Sequence, residues 1–447
     1  MSCAPPWEIK RFSELVIGDE LFRARLAEDA GKAVKQWGLS VDPDRLRFIW
    51  DSDCQDDGEF LSKDPEVGPY FRWKESREAN ALHWLKLLEQ ETPDSFRTWR
   101  KRQANRYATQ AADGFVRNGR LLPFAIELSK GCTVGCSYCA LSAEPLQSVA
   151  RFDLEGNEKL FTKILHVMRE FVGQGAATGF LYWATDPFDN PDYEKYLTVF
   201  NRILGIPPQT TTAAWKRNVR RTRRFLQQRG RMGGTWDRFS VNSLSELHFL
   251  MTEFSPQELE NVELVLQNPE SLRSKCFAGR GGEMDPDAKV GSIACVSGFL
   301  INLLDRSVKL ISPCTDLKRW PLGYAVYKEA AFPQSISQLS DFVSSCENSI
   351  FSDELNDNYR PRLRDDIERE GDSQEGTVAL KTAFARRAFV TPVEIDLLGE
   401  IDGQRSVGEL VESLSGVHHP ASIYHALKQL YQEGLFEHLP APEGSFQ

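Results

Sequence analysis

The chain has 447 residues, too many for one ordinary core, so two or three domains are expected. Its 41% hydrophobic and 26% charged content is that of a soluble globular protein, and no run approaches the roughly eighteen uncharged apolar residues of a membrane span. A net charge of −10 disfavours nucleic acid held through a broad basic surface.

The opening Met1-Ser-Cys-Ala-Pro-Pro-Trp-Glu has no basic segment followed by an apolar one, so export is not expected and the chain reads as cytoplasmic. Nine cysteines, an odd number in a long chain without a signal, point to metal or thiol chemistry in a reducing compartment rather than a disulfide framework. Residues 1–115 read as mostly helical, with amphipathic runs over 12–37 and 79–90. From Leu121 short apolar or β-branched runs alternate with helical stretches, the pattern of a parallel α/β barrel over about 120–310. Strands are expected at 123–128, 179–184, 209–214, 238–242 and 262–267, then a pair at 299–304 and 308–311. Helices are expected at 155–172, 193–204, 215–228 and 245–251. The basic run 216–224 (Lys-Arg-Asn-Val-Arg-Arg-Thr-Arg-Arg) reads first as a solvated helix face beside acidic neighbours, and second as an anion contact. An extension covers 311–351. Residues 352–378, polar and poor in large apolar side chains, read as a linker. Beyond them, 379–447 form a small winged-helix-like unit with helices opening at Thr391 and covering 422–432, closed by Gly434.

The strongest chemical signal follows the first barrel strand: Glu127-Leu-Ser-Lys-Gly-Cys132-Thr-Val-Gly-Cys136-Ser-Tyr-Cys139-Ala. Three thiolates from one short loop can hold three irons of a [4Fe–4S] cubane, leaving the fourth open. The alternative, zinc, ordinarily wants four closed ligands, and no fourth Cys or His lies nearby in sequence. This C-x3-C-x2-C loop resembles the signature of the radical S-adenosylmethionine (SAM) superfamily. The resemblance implies a partial (β/α)6 barrel, with Cys132, Cys136 and Cys139 as metal ligands and SAM as cofactor. Many relatives end their second strand in Gly-Gly-Glu; here Phe180-Leu-Tyr-Trp-Ala-Thr185-Asp186-Pro stands instead. Tyr138, Thr185, Asp186 and Asn242 are the positions expected to contact SAM.

Three further stretches narrow the resemblance. Residues 293–314, from Ile-Ala-Cys295 to Ile-Ser-Pro-Cys314, resemble the opening of auxiliary-cluster (SPASM or twitch) extensions. The dense cysteine array that completes such extensions is missing, with Cys276 and Cys346 alone nearby. Phe389-Val-Thr-Pro-Val-Glu, Ile401-Asp-Gly and Ala426-Leu-Lys-Gln-Leu-Tyr-Gln-Glu-Gly434 resemble the PqqD-like recognition element, which captures a leader peptide as an added strand. An ordinary winged helix is the other reading of this unit. Phe12-Ser-Glu-Leu-Val through Trp37-Gly38 resembles nitrile-hydratase-like or Nif11-like leaders, and could pack on the chain's own recognition surface; a plain helical lid is the other reading.

With Ala184-Thr-Asp-Pro-Phe-Asp-Asn-Pro191 and Arg319-Trp-Pro-Leu-Gly323, the whole resembles the radical SAM peptide epimerases of proteusin pathways (PoyD-like). That implies conversion of L- to D-residues in a ribosomally made precursor peptide carrying a nitrile-hydratase-like or Nif11-like leader. A flavodoxin- or ferredoxin-type electron donor would serve it, and neither nucleic acid nor membrane is an expected partner. Cys314 is the expected hydrogen-atom donor, followed by Cys295 and Cys346; Cys3 and Cys54 read as bystanders. A radical SAM peptide cross-linker and a non-catalytic peptide-binding scaffold stay open as alternatives.

Overall fold

The computed structural model describes residues 4–51, 53–54, 63–65, 67–110, 121–273, 278–283, 294–351, 355–371, 377–389 and 391–436. The chain divides into two compact units. The first comprises Met1–Gln90, Ile126–Tyr138 and Ala143–Lys275; the second comprises Glu91–Ala125, Cys139–Ser142 and Cys276–Gln447.

The first unit is mixed α/β. Helix α1 (Pro6–Gly18) starts on a proline suited to a first turn. Asp19 then caps α2 (Glu20–Gln36), accepting from the N–H groups of Leu21 and Phe22 at 2.9 and 3.1 Å. Their apolar faces bury Phe12, Leu15, Phe22 and Leu26 in one core with Phe239, Val241, Leu264 and Leu266. The leader-like segment is therefore built into this core. Helix α3 (Gly68–Glu91) follows. A parallel sheet pairs β4 (Thr211–Thr212), β5 (Asp237–Val241) and β6 (Val262–Leu266), with alternate residues of β5 and β6 buried. Around it lie α5 (Asn157–Val172), α6 (Tyr193–Leu204), α7 (Val219–Met232) and α8 (Leu244–Glu253). In α5 the buried Phe161, Ile164, Leu165 and Met168 repeat at helical spacing.

Two expectations change here. Residues 179–184 form no strand: Ile126 N–H donates to Phe180 O at 2.9 Å, and the rest is irregular. Its aromatic side chains pack on one another, Phe180 and Tyr182 with ring centres 4.6 Å apart. Helix α7 begins at Val219 rather than 215, because Asn218 caps it by accepting from Arg221 N–H at 3.0 Å. Among the described residues the parallel pairing expected for the barrel runs through β4, β5 and β6.

A four-stranded sheet runs in the order β1 (Leu122–Glu127), β7 (Val296–Asn302), β8 (Ser307–Pro313), β9 (Tyr324–Ala331), all of it in the second unit except Ile126 and Glu127. Strands β7, β8 and β9 form antiparallel hairpins. Helix α4 (Asp94–Ala108) carries Phe96 and Trp99, packed on Phe351 with ring centres 4.8 and 5.2 Å apart. Helix α9 is Ser337–Ser349.

The C-terminal part is an antiparallel sheet β10 (Glu368–Glu370), β11 (Val378–Lys381), β12 (Arg386–Phe389), followed by α10 (Pro392–Glu400), α11 (Val407–Leu414) and α12 (Pro420–Gln432). The expected linker is in fact part of it. Leu355 is in this core, Arg364 is 2% exposed, and β10 lies within 352–378. The segment looks like a linker in sequence because its polar groups have remote partners: Arg364 donates to Asp366 at 2.8 Å and also to the Thr109 hydroxyl at 2.8 Å, 255 positions away. Helix α11 was not foreseen, although Ser406 and Glu409 form its capping box.

Candidate functional site

The loop carrying the cysteines leaves the end of β1, where Glu127 accepts the Ala184 N–H at 3.1 Å. A short antiparallel pair, β2 (Ser129–Lys130) with β3 (Ser148–Val149), turns the chain back. Gly131 then takes φ +80°, and a Cβ built there would stand 2.2 Å from the Pro145 carbonyl oxygen. Only glycine fits. Cys132 donates its N–H to Glu144 O at 2.8 Å, and its Sγ receives the Val134 N–H at 3.4 Å. Burial pushes the Cys132 thiol up to about 11. The metal-free loop therefore holds a thiol there, and binding a metal must release its proton.

Cys132 and Cys136 belong to the first unit and Cys139 to the second. All three are partly exposed, and none of the seven described cysteines is in a disulfide. Among the described residues no three His, Cys, Asp or Glu side chains stand close enough to share one metal ion. A cubane presents a separate iron to each thiolate, so its ligands stand farther apart than those of one tetrahedral ion. Three thiols on a glycine-relieved loop, one already receiving an N–H, are a donor set that fits such a cluster.

The other expected positions separate. Asp186 is 5% exposed, and its carboxylate is fully engaged. One oxygen accepts from Thr212 Oγ1 at 2.7 Å and Phe188 N–H at 2.9 Å; the other accepts from Ala213 and Ala214 N–H at 2.7 and 3.1 Å. Burial raises its pKa against those donors. Thr185 is partly exposed just before it. Asn242 follows the carboxyl end of β5, the end of a parallel strand where ligands gather, and its N–H donates to Glu246 at 2.9 Å. Tyr138 is partly exposed on the cysteine loop.

In the second unit the two late motifs meet. Cys314 directly follows β8, and its N–H donates to Gly323 O at 3.0 Å, joining Ser-Pro-Cys to Arg-Trp-Pro-Leu-Gly. Gly279 donates its N–H to Pro321 O at 3.0 Å, and Arg280 donates its N–H to Cys139 O at 3.1 Å. A Cβ on Gly279 would meet Ala140 O at 2.4 Å. Sequence reasoning missed this link, although Gly279-Arg-Gly-Gly282 was visible as a small-residue run. Cys314 is fully buried, and burial pushes its thiol up to about 11 although the Arg106 charge pulls the other way. Arg106, on α4, donates to Pro313 O at 2.6 Å. Cys346 is buried on the apolar face of α9, and Cys295 is partly exposed, its carbonyl accepting the Leu122 N–H at 2.7 Å. Cys54 is exposed; Cys3 and Cys276 lie outside the described residues.

The basic run is largely compensated. Lys216 pairs with Glu246, Arg221 with Glu194 at 2.8 Å, and Arg223 with Glu253 and Glu258, each at 2.9 Å. An open cavity of about 490 Å³ lined by Asn201, Arg224 and Arg231 holds none of the expected site residues. Among the described residues no helix is long and apolar enough to cross a membrane.

No family model matches the chain. It is similar to the uncharacterized protein y4wI of Sinorhizobium fredii, 36% identical over 346 residues covering 72% of this chain and 66% of that protein. The chain thus spans just under two thirds of that relative's length. Among solved structures, BtrN in complex with AdoMet and 2-DOIA matches 51% of this chain and 86% of its own, at 14% identity and a TM-score of 0.31, a likeness too slight to bear on fold or function.

Proposed function

We propose that this chain is a radical SAM peptide epimerase acting on a ribosomally made precursor peptide. The observation that carries the reading is the second unit's ladder. It ties the peptide of Cys139, the third cysteine of the C-x3-C-x2-C loop, through Arg280, Gly279 and Pro321 to the turn that holds Cys314. A metal-ligand candidate and a buried neutral thiol are fixed to one short framework, as a radical source and a hydrogen donor would require.

When bound by Cys132, Cys136 and Cys139, a [4Fe–4S] cluster with SAM supplies a 5′-deoxyadenosyl radical able to take a Cα hydrogen from an L-residue. Cys314 then gives its S–H hydrogen atom to the opposite face of the planar Cα, leaving a thiyl. One electron from a flavodoxin- or ferredoxin-type donor and one proton restore the thiol. Burial favours this role because it keeps the sulfur protonated, and a thiolate has no hydrogen to give. Cys314 is also covered, so delivery requires the 314–323 turn to move. Cys295, partly exposed, is the second candidate; Cys346, on a helix's buried face, reads as packing. The C-terminal sheet, with β10 and β12 as its edges, supports leader capture by strand addition.

The test is an anaerobic reaction in D2O with iron-reconstituted protein, SAM, reductant and a precursor peptide bearing a nitrile-hydratase-like or Nif11-like leader. A single deuterium at each altered Cα, with 5′-deoxyadenosine released, is expected. Cys314→Ala should keep 5′-deoxyadenosine and lose the deuterated product. Loss of two hydrogens without deuterium would replace epimerisation by cross-linking, and no 5′-deoxyadenosine at all would leave a binding scaffold.

A further inference from the structure

Arg217 is the one member of the basic run whose charge reaches the cysteine loop in the described contacts. Its Nη2 donates to the Thr133 carbonyl at 2.7 Å and its Nη1 donates to the Thr133 hydroxyl. Asp189 meets the same residue from the other side. One oxygen accepts the Thr133 N–H at 2.8 Å and the other accepts its hydroxyl. Arg217 and Asp189 also pair with each other at 3.3 Å. Thr133 is an exposed residue between Cys132 and Cys136, yet its amide N–H, its carbonyl and its hydroxyl are all engaged. The Asp189 side chain is 3% exposed.

Both jaws of this grip hang on one group. Asp186 fixes the turn leading to Asp189 through Phe188 N–H, and fixes the stretch leading to Arg217 through Ala213 and Ala214 N–H. Arg217 N–H donates in turn to Ala214 O at 3.0 Å. Arg221 closes the frame, donating to Phe188 O at 2.8 Å and Asn190 O at 2.7 Å. A two-sided, charge-assisted grip on one exposed threonine exceeds what chain reversal needs, since β2, β3 and Gly131 already make the turn.

We propose that Asp189 and Arg217 are positioning residues for the metal loop, holding Thr133 so that the Cys132–Cys136 stretch keeps its ligating shape before iron arrives. This rests on the radical SAM reading. A loop held in advance gives up less conformational freedom on binding, and a guanidinium beside it offsets part of the negative charge that thiolates and Asp189 bring together. Asp186 is then a support for both jaws.

The experiment reconstitutes the full chain with iron and sulfide and follows loss of the cluster absorbance to a chelator. It also records the EPR spectrum of the reduced protein with and without SAM, and thermal unfolding of the metal-free chain. Thr133→Val, Thr133→Ser and Arg217→Ala are compared with wild type. Thr133→Val and Arg217→Ala should lose iron about tenfold faster, the ratio expected for one charge-assisted hydrogen bond. Their EPR signals should be altered and their unfolding temperatures near wild type. Thr133→Ser, which keeps the hydroxyl, should behave as wild type. Wild-type loss rates and spectra in Thr133→Val overturn the proposal, as does a lowered unfolding temperature with unchanged iron retention. Should Arg217→Ala fail to fold, the two Thr133 variants decide alone. Wild-type protein that takes up no iron defeats the radical SAM reading and this proposal with it; wild-type protein that forms 5′-deoxyadenosine beside indifferent variants defeats the proposal alone.

Discussion

At the scale of single residues, the sulfur of Cys314 makes the sharpest demand. Its thiol is pushed up to about 11 by burial, with the Arg106 charge, the Asp316 N–H and the Arg319 charge lowering it and the Asp316 charge raising it. The hydrogen-bearing form therefore stays almost fully populated through neutral and mildly alkaline pH. Deuterium incorporation per 5′-deoxyadenosine should be flat from about pH 7 to pH 9, measured by peptide mass; a decline with a midpoint near the ordinary thiol value of about 8.5 would show that an exposed thiol donates instead. Gly131 and Gly135 make a second comparison. Both have positive φ, but a Cβ at Gly135 meets nothing within 4 Å, whereas at Gly131 it meets backbone. Gly135→Ala should cost about 1 kcal/mol in unfolding free energy and retain iron. Gly131→Ala should cost about 2–3 kcal/mol and retain little, by denaturant titration and iron assay. Equal behaviour would mean that the Pro145 contact is relieved by a shift of the loop.

These residues also mark what sequence could tell. The cysteine spacing was legible because the three thiols sit in one loop. The partners of Thr133 were not, since Asp189 and Arg217 come from separate segments and Arg217 sat inside a run that reads as surface charge. Asp186 was legible as a residue of interest, but its four donors were not. A buried carboxylate that satisfies four donors and one that meets a cofactor have the same one-letter code.

Among the elements, several helices and strands read well, the strands 123–128, 238–242 and 262–267 to within one residue. The ranges 155–172 and 193–204 match α5 and α6 to within two residues because apolar faces repeat every third and fourth position. The 179–184 run failed because its apolar and aromatic content marks burial, and burial here is irregular chain. Strand β9 went unseen because the consecutive Lys328 and Glu329 interrupt its apolar run. Helix α4 carries the heaviest polar duty. Arg106 is 1% exposed and serves Gln103 at 3.1 Å as well as Pro313. Arg106→Leu should take the side-chain donor from Pro313 O, while Tyr327 still donates to Gln103 at 2.8 Å, and lower the unfolding free energy by about 2–4 kcal/mol, read by denaturant titration of the metal-free chain. A neutral substitution would show that water replaces the guanidinium.

For the whole molecule, the open matter is where a peptide would lie. Strand β11 is paired on both sides, while β10 and β12 each have one side without a partner strand among the described residues. A leader peptide added to the full chain should slow amide exchange in Glu368–Glu370 or Arg386–Phe389 and leave Val378–Lys381 unchanged. No change at either edge, under conditions where the peptide is bound, would exclude strand addition.

The hold on Cys139 sets an order of events during synthesis. Its carbonyl is bonded by Arg280, which is 280 − 139 = 141 positions later, and that segment leans on Pro321, 182 positions later. At about 5–20 residues per second, the ribosome releases the cysteine motif roughly 7–28 s before Arg280 exists to hold it. A nascent chain therefore displays three thiols with one of their supports still unmade. On the proposed radical SAM reading, iron is expected to reach these thiols after translation, from donors that meet the finished chain.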